Sequence, residues 1–179
     1  MKTKIQTATI STEAIFSEDE NHRFSLKYKW GKGSNIAKII LLNPSHANGI
    51  TLDKTIYGLI NFLIEKKKID GIEVVNLFSV IGSNSQEIAI KYELESKEQK
   101  ENNKVLEEFI SNSSEIYIGW GMKKTTTISA QIEKVKKWIK SNPKPIELFC
   151  FKKEGDKIIG RHPRDIKIDK IWKIKKFTF

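Results

Sequence analysis

Residues 38–46 read KIILLNPSH, four bulky apolar side chains in a row that stop on an Asn-Pro pair. The run is too short for a helix and rich in strand-forming residues, so it reads as a buried strand. Pro44 presets its own backbone angle and biases Asn43 away from helix, so the strand should end in a turn at that point. Three more runs have the same character: 72–78 (IEVVNLF), 115–120 (EIYIGW) and 145–151 (PIELFCF). Between them lie stretches of helical spacing. Residues 53–68 carry Ile56, Leu59, Ile60 and Leu63, with Asp53 as N-cap. Residues 85–110 hold one or two helices with Val105, Leu106, Phe109 and Ile110 on one face, and 126–139 repeat the pattern with Ile128, Ile132, Val135 and Ile139 before Pro143.

Strand–helix alternation implies parallel pairing through crossover helices packed on both sheet faces. Outward from that centre, 7–16 and 23–30 read as an antiparallel pair joined by a charged turn at 17–22. At the other end 157–160 reads as a turn, and 165–179, with its alternating IKIDKIWKIKKF, as a final edge strand. The expectation is α/β: a three-layer α/β/α domain with a four-stranded parallel core sheet and antiparallel N- and C-terminal strands, one domain over residues 1–179.

Bulk properties limit the function classes. The 179 residues carry 32 Lys+Arg against 22 Asp+Glu, a net charge of +10 that suits a polyanionic partner. A merely basic, solvated surface is the plainer alternative. Cys150 is the single cysteine, which excludes an intramolecular disulfide and a multi-cysteine zinc site. No apolar run approaches a membrane span and the N-terminal stretch has no signal-peptide core, so a cytoplasmic protein without membrane contact is expected. No metal or cofactor is expected, because His and Cys are sparse and the carboxylates show no ligand spacing. Gly31 to Ser34 lacks the spacing of a phosphate loop, and no elbow motif surrounds Ser45.

If the four runs are parallel strands, Asn43, Asn76 and Gly119–Gly121 emerge at one carboxyl edge, where open α/β sheets bind ligands. Each asparagine brings an acceptor and two donors, suited to a planar polar ligand such as a nucleobase. The alternative is that Asn43 only starts a turn and Asn76 only caps one. Two of the three histidines flank prolines, in Asn43-Pro44-Ser45-His46 and Arg161-His162-Pro163-Arg164.

Over most of its length the chain resembles the bacterial and phage family called domain of unknown function sixteen forty-three. The features that carry the resemblance are Arg23-Phe24-Ser25-Leu26 with Trp30, Leu42 to Ala47, Asp53 with Thr55-Ile56, Val75-Asn76-Leu77-Phe78, Trp120-Gly121 and Arg161-His162-Pro163. A more distant likeness is to the uracil-DNA glycosylase superfamily. That likeness implies a four-stranded parallel sheet between helices, a water-positioning loop at Asn43-Pro44-Ser45-His46, a base-reading asparagine at Asn76, and an anion-supporting histidine at His162. Pro44, Tyr57 and Phe78 would line the base, the last two as candidates for the stacking aromatic. Ser45, His46, Arg161 and Arg164 would contact DNA or an inhibitor. Arg164-Asp165 stand where the superfamily has Ser-Pro, and no carboxylate follows the first strand.

Two functional expectations follow from the resemblance. One is a monomeric glycosylase-like protein with an eroded site, weak or inactive in excision, that acts by binding, as a decoy for acidic DNA-mimicking inhibitors of uracil-DNA glycosylase. The other is an active glycosylase or base reader on uracil-containing or modified DNA. Asn43, Asn76, Trp120 and His162 are expected in one cleft, with Ile166 the nearest apolar residue to the superfamily's DNA-inserting wedge.

Overall fold

The computed structural model describes residues 3–30, 32–67, 69–82, 94–121, 125–155, 160–167 and 171–179. Most of the turn expected at 157–160, part of the strand expected at 165–179 and the first part of the helical stretch expected at 85–110 lie outside the described residues.

Seven strands and three helices form the described chain. In order they are β1 (Ser11–Phe16), β2 (Arg23–Lys29), β3 (Ile36–Leu41), α1 (Lys54–Lys67), β4 (Gly71–Asn76), α2 (Lys97–Ser111), β5 (Glu115–Ile118), α3 (Thr126–Ser141), β6 (Glu147–Lys153) and β7 (Trp172–Lys176). All seven strands join one mixed sheet in the order β1-β2-β4-β3-β5-β6-β7. Pairings β4–β3, β3–β5 and β5–β6 are parallel, while β1–β2, β2–β4 and β6–β7 are antiparallel.

Strand alternation divides the core in two. Ala37, Ile39 and Leu41 of β3, Ile72 and Val74 of β4 and Tyr117 of β5 meet Ile56, Leu59, Phe62 and Leu63 of α1. On the other face Ile40, Val75, Ile116 and Ile118 meet Leu106, Phe109 and Ile110 of α2 and Ile128 and Val135 of α3. Each fully buried side chain of this size contributes about 1.5–3 kcal/mol, so two covered faces rather than one make the sheet stable. Side chains cap all three helices: Asp53 accepts from Ile56 N at 2.7 Å, Ser96 from Gln99 N at 3.1 Å and Thr125 from Ile128 N at 3.2 Å.

The C-terminal strand departs from expectation. Among the described residues the strand is Trp172–Lys176, paired with β6, and not the whole of 165–179. The preceding segment is used differently: Ile166 N donates to Pro163 O at 3.1 Å, turning the chain back onto α1. Gly58 permits that approach, since a Cβ there would lie 2.7 Å from Ile166 O and 2.8 Å from its Cγ2. Exposed Lys173, Lys175 and Lys176 guard the open edge of β7 against further pairing. Among the described residues no helix is long and apolar enough to cross a membrane.

Candidate functional site

The ladder between β3 and β4 outlasts both strands. Leu77 N donates to Leu41 O at 2.9 Å and Phe78 N to Leu42 O at 3.0 Å, bringing the Asn43–His46 loop beside the exit of β4. Asn43 is half-buried, and its Nδ2 donates to Pro44 O at 3.1 Å and Gly82 O at 2.9 Å. Gly82 N returns a bond to Pro44 O at 3.0 Å. The amide nitrogen of Asn43 is therefore committed to holding its own loop. Pro44 is buried beneath it, Ser45 half-buried and His46 exposed.

Three further side chains fix the same loop from below. The Ser45 hydroxyl donates to Asp53 Oδ2, so one carboxylate caps α1 and anchors the loop together. Arg23, 1% exposed, donates from Nη1 to Ala47 O at 2.5 Å, while its Nε has no partner among the described residues. Burial draws the Arg23 guanidinium down to about 10, with the Asp53 charge pulling the other way. The Tyr28 hydroxyl donates to Asn48 O.

Asn76 ends β4. Ile72 and Val74 face α1, so alternation puts Asn76 on that face too, paired in register with Leu41. It is 0% exposed, and among the described residues neither its Nδ2 nor its Oδ1 has a partner. Its backbone carbonyl is satisfied by Asn102 Nδ2 at 3.0 Å, and Leu77 O by Gln99 Nε2 at 2.9 Å. α2 thus ties down the strand end from the opposite face and leaves the Asn76 amide unengaged.

His162 reaches the same edge through the loop after β6. Gly121, at φ +82°, donates from N to Gly160 O at 3.2 Å and lies against the His162 Cβ. Burial pulls the His162 imidazole down to about 4, opposed by Asp53, assisted by Arg164 and opposed again by Asp165. At neutral pH the ring is uncharged, with one nitrogen a donor and the other an acceptor. Arg161 is half-buried and Arg164 exposed, and Asp165, next to Arg164, pairs with Lys54 of α1 at 2.8 Å.

Several expected site residues are placed elsewhere. Phe78, 1% exposed, packs in the α2–α3 core beside Leu77, because β4 ends at Asn76 and the chain beyond it no longer alternates between the faces. Tyr57 is 62% exposed on α1, its position following Ile56 and turned away from the core. Trp120 continues the alternation of Ile116 and Ile118 and belongs to the α2–α3 core, stacked on Phe179 at 6.4 Å and edge-on to Phe177 at 6.3 Å. It does not share the α1 face with Asn76. Ile166, 4% exposed, is folded under the loop and is no wedge. Asp53 is the reverse case. Its sequence signal is only that of an N-cap, yet it joins Ser45 and acts electrostatically on both Arg23 and His162. Among the described residues no cluster of three or more His, Cys, Asp or Glu could hold a metal ion.

The family model described as protein of unknown function (DUF1643) matches residues 23–164, from the start of β2 through Arg164. The chain belongs to this family. All the residues of the carboxyl-edge cluster lie within the DUF1643 match, while β1 and β7 lie outside it. No curated protein and no solved structure matches the chain.

Proposed function

We propose that this DUF1643 domain is a uracil-DNA glycosylase-like protein with an eroded site, weak or inactive in base excision, that acts by binding acidic DNA-mimicking inhibitors of uracil-DNA glycosylase. The observation that carries the reading is the turn after His162-Pro163. The resemblance implies that this position should project an apolar side chain into DNA, to hold open the space of an extruded base. Here the chain folds inward instead, Ile166 is buried against Gly58, and charged Arg164 and Asp165 occupy the tip. A protein without that wedge must leave most of the unstacking energy unpaid. The commitment of Asn43 Nδ2 to Pro44 and Gly82 further weakens its use in orienting water. What survives is charge. Net +10 and the arginines at 161 and 164 favour association with an acidic surface, since complementary charge steers encounter and fixes orientation.

A second reading, an active glycosylase or base reader, is favoured by Asn76. A buried amide whose donor and acceptor are both unpartnered among the described residues matches what the polar edge of a base requires, and such groups are rare in folded chains. One experiment separates the two. Purified protein is titrated with an acidic DNA-mimicking inhibitor, and uracil release is assayed in parallel on single- and double-stranded DNA. The binding reading expects a micromolar or tighter complex, weakened at least about tenfold by Arg161→Glu with Arg164→Glu, and little or no release. No complex together with rapid release would replace it by the second reading.

A further inference from the structure

We infer that Asp53 supplies, through Ser45, the carboxylate that the first strand lacks, so that the Ser45–Asp53 pair accepts the proton of an attacking water; this rests on the excision reading of the site. A serine hydroxyl has one hydrogen to give, and Ser45 gives it to Asp53 Oδ2. Toward any further partner, an attacking water included, the oxygen of the half-buried Ser45 can act only as an acceptor. Asn43 on the same loop cannot take a proton at all, and its amide nitrogen is engaged. Asp53 is held rigidly, because its other oxygen caps α1 through Ile56 N at 2.7 Å. The uncharged His162 lies within its electrostatic reach, and the buried guanidinium of Arg23 lies on the other side of the loop.

The step balances. Water transfers a proton to Ser45 Oγ as the serine proton moves to Asp53 Oδ2, and the hydroxide oxygen bonds to C1′ of the deoxyribose. The bond from C1′ to the base nitrogen breaks, and its electron pair leaves on the base as an anion that a neutral His162 N–H can support. Asp53 later returns the proton to solvent. Asp53 acts through Ser45, so it is a positioning residue and not one that touches the substrate.

Asp53→Asn isolates the charge. Asparagine caps a helix about as well as aspartate and still accepts from Ser45, so the fold is kept and only the basicity is lost. Single-turnover uracil release from single-stranded DNA, where no base need be unstacked from a duplex, is measured from pH 5 to 9 for wild type, Asp53→Asn and Ser45→Ala, with thermal unfolding alongside. The expected result is slow wild-type release, a loss of at least about 100-fold in Asp53→Asn with the DNA concentration for half-maximal rate unchanged, and a similar loss in Ser45→Ala. Unchanged melting would separate this from a structural defect, and should Asp53→Asn fail to fold, Ser45→Ala decides. Wild-type release that survives the loss of Asp53 or Ser45 overturns the inference and leaves the excision reading standing. No release by wild type overturns both.

Discussion

The two edges of the sheet treat their polar groups in opposite ways. At the amino edge an open cavity of about 510 Å³ is lined by charged and polar residues that answer one another. Lys38 and Glu73 meet at 2.6 Å, Lys38 also lies 4.9 Å above the Phe109 ring, and the Tyr117 hydroxyl donates to Glu115. At the carboxyl edge the Asn76 amide, Arg23 Nε and Asn102 Oδ1 are buried without partners among the described residues. Gln131 Oε1 shares that condition, at the far end of the carboxamide chain running from Gln99 through Asn103. A folded chain normally pairs what it buries. Among the described residues the unpaired groups gather at the carboxyl edge, whereas cavities of about 510 and 730 Å³ open elsewhere on the sheet, so cavity size and unpaired polarity single out different places.

The strongest way to break this contrast is through Arg23. Truncation to alanine removes a long buried side chain and orphans Ala47 O, so Arg23→Ala should lose about 3–5 kcal/mol in urea unfolding. A loss below about 1 kcal/mol would mean that the carboxyl-edge loop is not held from beneath as described.

His162 gives a pH-dependent version. The unfolded chain takes up a proton near pH 6.5, whereas the folded chain refuses it until about pH 4. Stability should therefore fall as pH drops through that window, by up to about 3 kcal/mol, and this contribution should be fully present above it. His162→Gln should flatten the difference. Equal acid dependence in the two proteins would show that the ring is not buried.

Much of the architecture was legible because short apolar runs and helical spacing are local signals. Strand–helix alternation, both N-terminal strands and the Asp53 cap follow from pattern, with strand ends displaced by a few residues. Alternation even told the faces apart: Asn76 follows Ile72 and Val74, and Trp120 follows Ile116 and Ile118 onto the other side. Reading the edge as one cleft overlooked that division. Contacts made by loops were not legible. Nothing local pairs Ser45 with Asp53, and the inward turn at Ile166 depends on a glycine in a helix more than a hundred positions earlier.

Asn76→Leu sharpens the comparison with a smaller effect of opposite sign. Leucine has a similar size and no polar atoms, so the substitution should stabilise the fold by about 1–2 kcal/mol while removing any base recognition, a trade expected where function keeps a group the fold does not need. Destabilisation of the same size would mean that the amide is satisfied in solution, by ordered water for example, and the carboxyl edge would lose its distinction.

The smallest effect belongs to the amino edge. Lys38 and Glu73 are each 21% exposed at the side chain, so water still screens their attraction despite the short distance. Glu73→Gln keeps the size and one acceptor and removes only the charge. The loss should not exceed about 1 kcal/mol and should shrink as salt is added. Adding Lys38→Met and closing the double-mutant cycle isolates the pair from their neighbours, including the Phe109 ring beneath the ammonium. A coupling above about 2 kcal/mol would place this pair in the same energetic class as the Arg23 cluster. The amino edge would then hold high-stakes polar groups as well, and the distinction between the edges would rest on the orphaned atoms alone.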